Sequence, residues 1–114
     1  MLVSGCEVES SVWNTGATNT IISPAVVEAL GLKPVSYTQI EGVGGIIDSS
    51  VYRINIYVDG CLEFKSIEAL SGDIGDYDLI IGMDIITLGD FVISNKDNQT
   101  WFVFRYPSSD HIEF

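Results

Sequence analysis

Few side chains in this sequence combine a reactive type with a useful spacing. The single histidine, His111, lies in a polar tail beside Asp110 and Glu113. With no second histidine and no neighbouring nucleophile, it supports neither a zinc site nor a serine or cysteine triad. Cys6 and Cys61 are too few for a disulfide framework and too far apart for zinc ligands, so they read as small buried hydrophobes. Asp73, Asp76, Asp78 and Asp84 lack the regular spacing and terminal bidentate glutamate of a calcium loop, which leaves a solvated acidic loop with Asp84 as a helix cap. Asn98-Gln99-Thr100 matches a glycosylation sequon by chance, given an N-terminus with neither a basic segment nor a long apolar stretch. Three features remain. They are the polar turn Asn14-Thr15-Gly16-Ala17 after apolar Val12-Trp13, the glycine-rich Gly42-Val43-Gly44-Gly45, and Leu79-Ile80-Ile81 stopped by Gly82.

The elements that must position these features are mostly strands. Cys6, Val8, Ser10 and Val12 alternate with Glu7, Glu9, Ser11 and Trp13, and Tyr52, Ile54, Ile56 and Val58 alternate with Arg53, Asn55, Tyr57 and Asp59, the two-residue period of a sheet. Asp59-Gly60 turns the second of these into Leu62 to Lys65, with a phase change near Ser66 that marks a bulge. A last hairpin joins Phe91–Ser94 to Thr100–Tyr106 through Asn95-Lys96-Asp97-Asn98, and Pro107 ends it. Helix is confined to short pieces. One runs from Ala25 to Leu30 with Ser23 as N-cap, Pro24 at the first position and Gly31 as the left-handed stop. A second runs from Asp84 to Leu88, closed by Gly89. A weak internal echo relates Gly5-Cys6-Glu7-Val8-Glu9 to Gly60-Cys61-Leu62-Glu63-Phe64, and Val12-Trp13-Asn14 to Leu79-Ile80-Ile81-Gly82, as in a chain of two related halves.

Composition narrows the class. The chain has 114 residues, 46% of them hydrophobic and 18% charged, so it forms one folded domain rather than two or a disordered tract. Its 16 acidic against 5 basic residues leave a net charge of -11, a field that repels phosphate backbones and anionic lipid. Nucleic acid and membrane are therefore excluded as partners at this stage. The apolar runs are too short for a transmembrane helix, and the cytoplasm is the expected location.

In order along the chain, Asn14-Thr15-Gly16-Ala17, the glycine-tipped hairpin and Leu79-Ile80-Ile81-Gly82 resemble the retropepsin-like aspartic proteases, whose signature is Asp-Thr-Gly-Ala, a flap hairpin and a later apolar-apolar-Gly before a helix. The resemblance covers nearly the whole chain. It implies an all-β lobe with one or two short helices and a flap running roughly from Tyr37 to Tyr52, a domain over residues 1–107, and a tail over 108–114 that adds to a dimer interface. It also implies a homodimer that completes the cleft, a peptide or protein substrate and no cofactor or metal. Asn14, Thr15 and Gly16 then occupy the catalytic positions. Ala17, Thr18 and Asn19 line the cleft, Val43, Gly44 and Gly45 cover it, and Tyr77 and Ile80 fall where the family has pocket residues. A single copy would expose Trp13, Thr15 and the floor around Ile80.

The departure is Asn14, which stands where the family has aspartate. There, two carboxylates share one proton: the ionised one takes a proton from the attacking water and the other hydrogen-bonds the substrate carbonyl. An amide oxygen is nearly non-basic and its nitrogen releases no proton, and a homodimer carries the loss twice. The expectation is an aspartic endopeptidase domain that is inactive as written. The near-isosteric exchange is one suited to silencing a protease without unfolding it. The alternative is a natural pseudoprotease serving as a peptide-binding or dimerisation module.

Overall fold

The computed structural model describes residues 1–42, 44–58 and 62–108. Its organising element is a long strand, β6 (Gly45–Val58), which serves two partners in turn. The first half pairs antiparallel with β5 (Ser36–Gly42), from Ser36 opposite Val51 to Gly42 opposite Gly45, and makes a hairpin over the residues read from sequence as a flap. The second half pairs with β1 (Leu2–Val3) on one side and β7 (Leu62–Ser71) on the other. Here the alternation holds as expected: Tyr52, Ile54 and Ile56 are buried, whereas Arg53, Asn55 and Tyr57 face out. The Asp59-Gly60 turn lies outside the described residues. The bulge near Ser66 is present. Between the pairs Ile54–Ile67 and Ile56–Phe64 the β7 strand carries an extra residue, Ser66 sits at φ 56, and its N–H donates to Asn55 Oδ1 at 2.9 Å.

The principal sheet runs β2-β1-β6-β7-β4-β8-β3, with β5 on the side of β6. Its remaining strands are short: β2 (Cys6–Glu7), β3 (Ser11–Trp13), β4 (Ile21–Ile22) and β8 (Leu79–Ile81). The single strand expected from Cys6 to Trp13 is thus two strands. Val8 N–H still bonds back to Met1 O at 3.0 Å, but Ser10 O accepts from Asp78 and Leu79 N–H at 2.7 and 3.2 Å, so the chain leaves β1 and transfers to β8. This transfer lays β3 parallel to β8, with Val12 opposite Ile80 and Trp13 opposite Ile81, and the two echoing segments become neighbours.

Helix α1 (Pro24–Leu30) has the expected caps, Ser23 Oγ accepting from Val26 N–H at 3.3 Å and Gly31 closing it at φ 60. Helix α2 (Met83–Ile86) starts one residue before the expected Asp84 and is shorter, because Thr87 caps it and donates its hydroxyl to Met83 O at 2.7 Å. The terminal hairpin joins β9 (Asp90–Lys96) to β10 (Gln99–Arg105). Its turn is the two residues Asp97 and Asn98, at φ 53 and 60, rather than the four expected. Paired left-handed residues match the twist of the strands, so both strands extend further. Aromatic side chains of this hairpin cover Trp13, with ring centroids 5.1 Å away for Phe102 and 4.9 Å for Phe104. Val3, Ile22, Ile54, Ile56, Leu79, Ile81 and Ile85 form the centre of the core, each at most 1% exposed. No helix among the described residues is long and apolar enough to cross a membrane.

Candidate active site

Asn14 follows β3 directly, and its position is set by the neighbouring strand: its N–H donates to Ile81 O at 2.8 Å. The chain then turns sharply. Asn14 Oδ1 accepts from Gly16 N–H at 2.8 Å, and Asn14 O accepts from Ala17 N–H at 3.1 Å, so the side chain folds back over its own turn. A Cβ at Gly16 would lie 3.1 Å from Asn14 Oδ1, close enough to disturb that bond. Asn14, Thr15 and Gly16 are all exposed, and the Thr15 hydroxyl makes no hydrogen bond among the described residues.

The loop is clamped from the far side by the start of α2. Ala17 O accepts from Met83 N–H at 2.7 Å and Thr18 O from Asp84 N–H at 3.2 Å, which occupies two of the N–H groups that a helix start leaves open. The approach is so close that a Cβ at Gly82 would sit 2.6 Å from Asn19 O and 2.8 Å from Ala17 O. Only glycine fits. Beneath the clamp lies Thr20, fully buried. Its hydroxyl donates to Asp84 Oδ1 at 2.8 Å and accepts from Gly82 N–H at 3.3 Å, while its own N–H donates to Asp84 Oδ2 at 3.0 Å. Asp84 is not the helix cap read from sequence, since Gly82 holds that position without a side-chain bond; its carboxylate instead fastens the Asn14 loop to the β8–α2 junction. Thr20 was not singled out in the sequence, because its partners lie 62 and 64 positions away.

Beside the loop opens a groove of about 620 Å³. Ala17, Thr18 and Asn19 line one side, the β5 strand from Ser36 to Glu41 roofs it, and Ile21, Val51, Glu68 and Leu70 complete it. The three cleft residues expected from sequence are brought together here. Gly44 and Gly45 lie at the tip of the β5–β6 hairpin, with Gly45 at φ 109, and do not line this groove, while Val43 falls outside the described residues. Tyr77, 45% exposed, belongs to the loop before β8, and Ile80 is half-buried in β8 between Val12 and Ile21; neither lines the groove. Trp13, expected to be bare in one copy, is half-buried under the β9–β10 aromatics.

Two further acidic residues are engaged locally. Asp73 Oδ1 accepts from Gly75 N–H at 3.1 Å and Asp78 Oδ2 from Ser10 N–H at 3.4 Å, so each supports a local turn or crossing. Among the described residues no three His, Cys, Asp or Glu side chains gather as metal ligands. The site thus offers an exposed amide on a hydrogen-bonded loop, with a groove beside it that the hairpin strand β5 helps to line.

Residues 3–87 match the family described as "gag-polyprotein putative aspartyl protease". Among solved structures, a retropepsin-like aspartic protease from Rickettsia conorii superposes with a TM-score of 0.55 over 90% of this chain and 79% of its own, at 12% identity. That similarity establishes the fold. No curated protein is significantly similar in sequence.

Proposed function

The chain belongs to the gag-polyprotein aspartyl protease family and is a retropepsin-like aspartic protease domain, and from that premise we propose that it forms half of a peptide cleft whose catalytic position holds an amide. A second copy supplies the other half, with the two Asn14 side chains meeting across a twofold axis. The observation that carries this reading is the placement of Asn14. It is exposed on a loop bonded to β8 and α2, and the next residues of that loop, Ala17, Thr18 and Asn19, line a groove together with the hairpin strand β5. An extended peptide laid in that groove would bond through its main chain to β5 and to the polar groups of Thr18 and Asn19, while its side chains enter the groove. Flap opening admits it and flap closure excludes water.

With Asn14 in both copies, no group at the axis takes a proton from water, so the assembly binds peptide without turning it over. The test is Asn14→Asp. Two facing carboxylates share a proton, the charged one activates water, and the protonated one polarises the scissile carbonyl. Cleavage of a peptide library by the Asp form, with a bell-shaped acidic pH profile and none by the Asn form, is the expected result. An Asp form that is folded, dimeric and binds peptide yet cleaves nothing overturns the protease reading, and leaves a peptide-binding module that evolved without catalysis.

A further inference from the structure

The groove beside Asn14 is charged with one sign. Among the described residues that line it, Glu41 and Glu68 are the ionisable acids, and no Lys, Arg or His joins them. This bias sits in a chain whose net charge is already -11. Glu41, on the flap strand β5, is exposed and has no side-chain hydrogen bond among the described residues. Glu68, on β7, meets Arg53 across the ladder through one contact of 3.4 Å, with both side chains more than half exposed. Such a pair is weakly held and yields readily to a better-placed cation. Beside Glu68 the groove wall is apolar, built from Ile21, Val51 and Leu70, whereas Glu41 lies nearer the hairpin tip, opposite Ile46. An apolar wall ending in an acidic group fits a side chain with an aliphatic stem and a cationic head.

We propose that this groove selects peptides that place lysine or arginine in it, with the stem against Ile21 and Leu70 and the head at Glu68, while Glu41 adds to the negative field further along the same groove. The inference rests on the peptide-cleft reading above and adds the substrate class. The overall negative field acts in the same direction, raising the encounter rate with basic segments.

The test uses the Asn14 chain as it stands, since it holds peptides without cleaving them. Fluorescein-labelled heptapeptide pools, each varying one position among Lys, Arg, Gln, Leu and Glu, are titrated by fluorescence anisotropy at low salt. At one position Lys or Arg should bind about five- to tenfold tighter than Gln, with Glu weakest, and the advantage should shrink as salt rises. In an E41Q/E68Q double variant, whose fold is checked by its circular dichroism melt, the Lys-to-Gln ratio should fall to near unity. Peptides that bind with no charge preference at any position overturn the inference and leave the cleft reading intact. A basic preference that survives E41Q/E68Q also overturns it. If no pool binds at all, the cleft reading fails and takes this inference with it.

Discussion

Replacing Thr20 by valine tests whether the Asn14 loop is held as described. Valine keeps the branched shape and exchanges the hydroxyl for a methyl, so the buried volume is nearly unchanged at a position with 0% exposure. Two interactions are lost. One is the hydroxyl donation to the Asp84 carboxylate at 2.8 Å, a hydrogen bond to a charged group worth about 1.5–3 kcal/mol. The other is acceptance from Gly82 N–H at 3.3 Å, whose loss strands a buried donor at about 1–3 kcal/mol. The sum is tempered on two counts. Asp84 keeps the Thr20 and Ile85 N–H groups at 3.0 Å each, and the extra methyl gains burial. A net loss of about 2.5 kcal/mol follows, or about 10 °C in Tm for a domain of this size. Thr20→Ser separates chemistry from packing: it retains the hydroxyl and gives up one methyl, about 1 kcal/mol. Urea and thermal unfolding followed by circular dichroism should rank the proteins wild type, then Ser, then Val. A valine variant as stable as the serine variant would refute the clamp, because packing alone would then account for Thr20.

Gly82→Ala should cost at least about 2 kcal/mol in a urea melt, since its Cβ would press on the carbonyls of Asn19 and Ala17, which are backbone and cannot swing aside. Amide hydrogen exchange should be faster at Glu41, Ile46 and Ile47 than at Ile54 and Ile56, because most of β5 and residues 45–48 of β6 are exposed while the far half of β6 is paired on both sides. In sedimentation equilibrium, dimers of an Asn14→Asp variant should weaken as pH rises above the shared-proton range. Ionising both carboxylates at the axis is penalised only in the dimer, so the proton is held more tightly there; the Asn14 chain, lacking that group, should lose much less affinity over the same range.

Local signals were legible in the sequence wherever the controlling atoms are neighbours in the chain. The Ser23, Pro24 and Gly31 signals sit within one short helix, and the Ser66 bulge shows as a slip in a two-residue alternation. The glycine at position 82 was noticed as a stop after an apolar run, and the structure supplies its reason in the carbonyls of a loop more than sixty residues earlier. Long-range decisions were not legible. Nothing in the alternation of Cys6 to Trp13 announces that Ser10 O will be taken by Asp78 and Leu79, so the transfer from β1 to β8 that breaks the strand was missed. Glu41 and Glu68 were not singled out, because the groove they both line exists only in the folded chain. Ala17, Thr18 and Asn19 adjoin the motif in the chain, and all three line the groove.

The atoms around Asn14 separate what the loop needs from residue 14 from what acid–base chemistry would need of it. The loop asks two things of residue 14: a main-chain N–H for Ile81 O, and a side-chain oxygen for Gly16 N–H. Asparagine meets both as well as aspartate would, because its Oδ1 accepts in the same place. Every other constraint on the loop comes from elsewhere, through Gly82, Thr20 and the two N–H groups at the start of α2. The fold therefore reads only one of the two terminal atoms of residue 14, the oxygen turned toward Gly16. Catalysis would read the other, where an acid places an ionisable oxygen and the amide places a nitrogen that cannot serve as a base. Structure and reactivity at this position are thus separable by a single atom, and restoring that oxygen should change the chemistry of the cleft without changing its shape.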